Sequence, residues 1–269
     1  GSTWAKQLVC VQDIHPTENG GTEVEFQMPY AAFAQNLGWG TEYSPKKQND
    51  VANVFEWLSN PGEFYFDQEG SMLYYIPRDG EDIEHAQVVI PELETIIDIK
   101  GDTPLNNYVS HITFDGLSFC YTDWNLYEID GSHGNASVQA CIVLTKFANI
   151  NQHDDIYRSY DIPPAAIHMN SAKDMKVING EVRYTGYLGV HLENDVSDCE
   201  VTGNYIGQVG GAGIVVGHPQ HVYENDTEIH KVNANNAAGP EKEKFSYGTE
   251  SVPKNIKITN NYLPENCYF

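Results

Sequence analysis

Imidazole, carboxyl and amide side chains recur at matching places in three stretches of this 269-residue chain. "IHMN" (167–170) offers His168 and Asn170, "VHLENDVSD" (190–198) offers His191, Glu193, Asp195 and Asp198, and "IVVGH" (214–218) offers His218. Aligned on Ile167, Val190 and Ile214, one column reads His168, His191, Val215, and the next reads Asn170, Glu193 and then Gly217 and His218. Carboxyl and imidazole groups gathered on one surface suit proton transfer, because neighbouring groups can be driven apart into a proton donor and a proton acceptor. Glu193 reads as the acid or base and Asp195 as its partner, with His168 and His191 as ligands for hydroxyl groups or for charge in a transition state. The stretch "HDDIYRSYD" (153–161) offers Asp154, Asp155 and Asp161 as further carboxyl partners, and Arg158 and Asp161 as binding groups. A plainer reading stands beside this one. Polar residues stacked on a regular wall are also what a solvated face looks like, and Asp195 and Asp198 fall in a turn, where Asp is common because it hydrogen-bonds the local backbone.

The columns follow from an internal repeat. Ile167, Val190 and Ile214 are 23 and 24 residues apart, and Met175 with Cys199, Val177 with Val201, and Val182 with Ile206 are each 24 apart. Apolar residues alternate within each unit, the period of two expected of strands with one buried face. Short strands repeating every ~24 residues, each paired with its equivalent in the next unit, predict an all-β fold, a right-handed parallel β-helix solenoid. "DCEVTGNYIGQV" (198–209) and "NIKITNNYLP" (255–264) repeat the same phrase, with Asn204 and Asn261 57 residues apart, one unit plus an insertion of about 33 residues. The two asparagines are expected to stack at one corner, amide on amide. "HITFDGLSF" (111–119) supplies an earlier unit, in which Ile112, Phe114 and Phe119 match Met175, Val177 and Val182, and "ETIIDIKG" (94–101) the strand before it. Long insertions are placed near residues 145–164 and 218–255. Residues 1–90 read as a small N-terminal β-rich cap, with a short helix in "VANVFEWL", a hairpin turning at "QEG" and a strand pair around an Asn-Gly-Gly turn; residues 91–269 carry the solenoid.

Composition narrows the partners. Lys and Arg number 15 against 38 Asp and Glu, a formal charge of −23, so nucleic acid and anionic membrane surfaces are excluded as partners by repulsion. The apolar runs are far shorter than the ~20 residues a spanning helix needs. The opening Gly-Ser reads as a remnant of cloning, so the lack of a leader carries no weight on compartment. Five scattered cysteines without CxxC spacing read mostly as buried thiols, with no zinc site. "QHDDIYRSYD", "LENDVSD" and "YENDTE" hold oxygen ligands suited to calcium but lack EF-hand spacing, so no metal site is assigned and no cofactor is expected beyond a calcium ion in one alternative. "GQVGGAGIVVG" has no following GK[ST], which leaves its glycines as turn residues.

The strings "VANVFEWLSNPGEFYFDQEGSMLYYIPRDGE", "PELETIIDIKG", "NYVSHITFDGLSFCYTDW" and "GYLGVHLENDVSDCEVTGNYIGQVGGAGIVVG" resemble the large bacterial right-handed parallel β-helix carbohydrate-active proteins, the glycoside hydrolase group with α-L-fucosidase and xylanase members. The likeness runs through most of the chain from about Trp4 onward. It implies a glycoside hydrolase, or the central portion of one, with a carbohydrate substrate and a periplasmic or secreted setting. Glycosidic hydrolysis needs two carboxyl groups, about 5 Å apart for retention or roughly 6.5–9.5 Å for inversion. Tyr121, Trp124 and Tyr127 in "SFCYTDWNLYE" offer rings for stacking on sugar faces, or pin their loop to the core. Two other readings remain: a calcium-assisted polysaccharide lyase, disfavoured by the few basic residues available to neutralise a uronate, and a non-catalytic carbohydrate-binding solenoid. The sheet edge after Phe269 is expected to need a cover, which further chain or self-association would supply.

Overall fold

The computed structural model describes residues 7–31, 51–103, 105–124, 128–129, 132–138, 142–147, 156–217, 230–232 and 252–264, with only the backbone course described for the strands between 128 and 161 and for 230–232. The chain divides into two compact units, one of Gly1–Glu42 with Pro91–Phe269 and one of Tyr43–Ile90. Among the described residues helical structure is sparse, including single 3-10 turns at Phe55–Trp57 and Ile83–His85.

In the smaller unit, strands Phe64–Asp67 and Met72–Tyr75 pair antiparallel around the "QEG" turn. The helix expected in "VANVFEWL" is replaced by the 3-10 turn. Asn53, at φ 57°, accepts from the Phe66 amide and donates to the Phe66 carbonyl, which ties the segment to the hairpin. Phe55 then lies edge-on to Tyr65 and Tyr74, with ring centroids 5.3 and 5.1 Å away. These tertiary bonds outweigh a local helix preference of a few tenths of a kcal/mol per residue.

In the larger unit, strands Val11–Pro16 and Thr22–Phe26 pair antiparallel around the Gly20 turn. The repeat appears as parallel pairing in register. Ile97, Ile167, Val190 and Ile214 are successive partners, as are Phe114, Val177, Val201 and Ile258, and Phe119, Val182 and Ile206. Ile167, Met169, Val182, Val190, Val201 and Ile206 are buried and form the core. Burial of like residues above like fixes this register, since a slip of one residue would turn every apolar side chain outward.

The closed right-handed β-helix solenoid expected from that repeat is not what these strands build. They form separate parallel sheets of two to four strands, and a further six-stranded sheet is antiparallel. The antiparallel sheet contains Ile142–Phe147 and Ile156–Asp161, residues the repeat assigned largely to an insertion. Two causes act. Residues in the left-handed region recur at the corners, Asp174, Asp198 and Asn255 before one ladder and Gly116, Asn179, Gly203 and Asn260 after it, so each ladder ends where the backbone turns. Between Cys120 and Ala165 the chain also leaves the parallel pairing for an antiparallel meander.

Asn204 clasps one corner. Its Oδ1 accepts from the Gly180 amide at 3.0 Å, and its Nδ2 donates to the Val177 carbonyl at 2.8 Å and to Asn261 Oδ1 at 3.0 Å. Asn261 repeats the clasp, accepting from the Asn204 amide and donating to the Val201 carbonyl. Asn204 is 2% exposed, so its removal strands buried backbone groups at about 1–3 kcal/mol each. Asn204→Ala should lose about 2–5 kcal/mol in urea unfolding. A loss below about 0.5 kcal/mol, the range of ordinary surface substitutions, contradicts the clasp.

Candidate functional site

Alternation in the four-stranded sheet of Ile97–Lys100, Ala165–Asn170, Leu188–Leu192 and Ile214–Val216 decides which side chains meet. Ile97 and Ile99, Ile167 and Met169, and Val190 and Leu192 belong to the core or pack against it. The intervening residues form a column on the other face, in which Asp98, His168, His191 and Val215 are successive register partners. Adjacent members stand about 4.8 Å apart, close enough for direct bonds.

His168 lies between two carboxylates. Its Nδ1 is 2.8 Å from Asp98 Oδ1 and its Nε2 is 2.8 Å from Glu193 Oε2. Asn170 Nδ2 donates to the same Glu193 Oε2 at 2.9 Å, while Asn194 Nδ2 reaches Glu193 Oε1 at 3.3 Å. Lys100 Nζ pairs with the outer oxygen of Asp98 at 2.7 Å. The side chains of His168 and Glu193 are 16% and 19% exposed, that of Asp98 43%. The His191 ring stacks obliquely on that of His168 at 5.4 Å, and its Nε2 donates to the Gly217 carbonyl at 3.0 Å.

Burial alone would push the Glu193 carboxyl up, but the hydrogen bonds from His168 and Asn170 outweigh it and hold the group at about 2. Burial would likewise push His168 down, and its bonds to Glu193 and Asp98 raise it instead. For Asp98, burial is again overcome, here by Lys100 and His168, and the carboxyl is lowered. Ionised carboxylates only accept hydrogen bonds, so both ring nitrogens of His168 carry protons and the ring is an imidazolium. Glu193, ionised by these bonds, is a weakly basic anion that can attack an electrophilic carbon or face developing positive charge. Asp98 and Glu193 do not bracket a substrate bond, because the imidazole fills the space between them.

Of the residues singled out in the sequence, the fold brings His168, Asn170, Glu193 and His191 together. His191 is buried and tied to Gly217. Asp195 sits in the following turn at φ 50° and takes no part in the network. Asp198 accepts from Asn255 Nδ2 at 2.9 Å, a corner bond. Tyr121 is 48% exposed and stacks on Tyr184 with centroids 5.3 Å apart and planes 8° from parallel. Trp124 packs on Tyr187 at 4.7 Å, beside Ala165 and Leu188. Arg158 and Asp161 lie on Ile156–Asp161, where only the backbone is described, and Asp154, Asp155, Tyr127 and His218 lie outside the described residues. Among the described residues no three His, Cys, Asp or Glu side chains converge to hold a metal ion; at His168 each nitrogen faces a different carboxylate. Asp98 was missed. Its signal was the alternation of Ile97 and Ile99 in "ETIIDIKG", which matches Ile167 and Met169 and leaves Asp98 in the His168 column.

No family model matches the sequence, and no curated protein does. A solved structure described as a glycoside hydrolase superposes on the chain with a TM-score of 0.71 at 20% identity, over 99% of this chain and 45% of that one. The chain thus spans less than half the length of that protein. The likeness is one of fold, and the description of that structure names no group within the glycoside hydrolases.

The lowered Glu193 and raised His168 predict opposite pH dependences. Glu193 contributes stability that is fully present above its ordinary value of 4.5 and lost as pH falls toward about 2. His168 contributes stability that is fully present below 6.5 and lost as pH rises through its raised value. The stability difference between the native protein and Glu193→Gln, measured by denaturant unfolding, should shrink steadily between pH 4.5 and 2. A difference that stays constant over that window contradicts the ionised Glu193.

Proposed function

We propose that this chain is part of a glycoside hydrolase that cleaves a glycosidic bond in an oligosaccharide or polysaccharide, with Glu193 as its ionised carboxylate. The observation that carries this reading is the half-buried Glu193 anion, held by His168 and Asn170 on a fold whose solved counterpart is described as a glycoside hydrolase. Hydrolysis of an acetal requires one carboxylate to act as nucleophile or as base toward water, and a second group to protonate the leaving oxygen. Glu193 takes the first role. Asp195, outside the imidazolium network, is the proton donor in this reading. Asp98 and Glu193 are both bonded to the His168 ring, which leaves the second role to a carboxyl outside that network. The exposed Tyr121 ring supplies an apolar surface for a sugar face, and Arg158, Asp161 and His218 are assigned to binding hydroxyl groups.

Incubation with a panel of plant and algal polysaccharides, followed by product analysis, tests the reading. The native protein should release reducing sugar, and Glu193→Gln and Asp195→Asn should each lower kcat by about 10²-fold or more. Full turnover by Glu193→Gln discards the assignment of that residue. Oligosaccharide binding without product marks a non-catalytic binding protein, and an unsaturated, ultraviolet-absorbing product lost on chelation marks a calcium-assisted lyase.

A further inference from the structure

The two oxygens of Glu193 have unequal surroundings. Oε2 accepts two bonds, at 2.8 Å from His168 and 2.9 Å from Asn170, whereas Oε1 receives the single 3.3 Å approach of Asn194. An ionised carboxylate has about four lone-pair sites, so the capacity that is left lies on Oε1.

Asn170 is itself held in one orientation. Its Oδ1 accepts from Ser171 Oγ at 2.9 Å, and Ser171 Oγ lies 2.7 Å from Thr103 Oγ1. A serine hydroxyl has one proton, already given to Asn170, so Thr103 donates and the chain runs one way, from Thr103 through Ser171 and Asn170 to Glu193. Reversing the Asn170 amide would set an oxygen against the Glu193 carboxylate and leave the Ser171 proton without its acceptor. Ser171 is buried and held at φ 52°, so this chain is fixed by the backbone as well as by its own bonds. On the other side Asn194 is 6% exposed, and its Oδ1 is buried without a donor among the described residues.

We infer that Asn170, backed by Ser171 and Thr103, is a positioning residue that locks Oε2 of Glu193 and leaves Oε1 as the oxygen presented to the substrate. This rests on the reading of Glu193 as the reacting carboxylate. Asn170 touches Glu193 and not the reacting atoms of a sugar, so its loss alters the carboxylate rather than substrate affinity. Removing a donor from the ionised form makes the carboxyl easier to protonate, and the acid limb of the rate profile then moves to higher pH.

The test compares the native protein, Asn170→Ala and Ser171→Ala on whichever polysaccharide of the panel is cleaved, with far-ultraviolet circular dichroism as the folding control. Asn170→Ala should lower kcat by about 10–100-fold with KM within about twofold, and should move the acid limb of kcat/KM up by about one pH unit. Ser171→Ala, which keeps the amide but frees its orientation, should shift the same limb by less and decides the matter if Asn170→Ala does not fold. An unmoved acid limb, or a raised KM at native kcat, overturns the inference while leaving the hydrolase reading intact. If the native protein cleaves nothing on the panel, the hydrolase reading falls first. The carboxyl-carbon resonance of Glu193 then decides the lock, since a titration midpoint unmoved in Asn170→Ala overturns it as well.

Discussion

The structure depends on strands far apart in sequence lying side by side in parallel and in register. A parallel ladder places each residue about 4.8 Å from its partner, and burial of Ile167, Val190, Val182 and Ile206 in the core selects which residues become partners. Everything polar on the other face then follows. Asp98 and His168 are 70 residues apart in the chain, and His168 and Glu193 are 25 apart, yet each pair is in hydrogen-bond contact. The same register sets Asn204 against Asn261 at a corner. Packing on one face thus does the positioning for chemistry on the other.

The site is costly as pure architecture. A mostly buried imidazolium between two carboxylates requires three ionised groups to give up water, and apolar residues of similar volume would do as well or better for stability. Its geometry nevertheless satisfies the constraints of charge. Each nitrogen of His168 has an anionic acceptor, Lys100 offsets Asp98 from outside, and Asn170 completes Oε2 of Glu193. The arrangement converts a carboxyl group that burial would protonate into one that stays ionised through the ordinary pH range. A carboxyl held this low is a weak base, but it is ionised and available as a nucleophile or as a partner for developing positive charge across the ordinary pH range, and strongly perturbed groups of this kind concentrate at functional sites.

Much of this was legible in the residues, and the failures have physical causes. Alternation and the 24-residue spacing specified which residues pair, because period and burial are written into side-chain type; the His168, Glu193 and Asn204 placements follow directly. Closure into one solenoid was not legible, since it depends on how the backbone turns at corners such as Asp174 and Asn179 and on where the chain leaves for the antiparallel sheet. The helix expected at 51–58 failed because the Asn53 bonds to Phe66 lie beyond a local window. Asp98 is less legible because its short strand stands 70 residues before His168, outside the 24-residue spacing, although it carries the same alternation. Pairing by residue type does not reveal which of two nearby carboxyls meets an imidazole; Asp195 is nearer in sequence, but its turn leaves it out of the network.

The ionisation of His168 tests the central claim most directly. Nitrogen-15 resonances of the ring, followed through a pH titration, report whether both nitrogens carry protons. Both should remain protonated above the ordinary value of 6.5, with the midpoint falling when Glu193 is replaced by Gln. A ring that loses its proton at or below 6.5, and whose midpoint ignores the Glu193 substitution, would contradict an imidazolium held between two anions and with it the role drawn for Glu193.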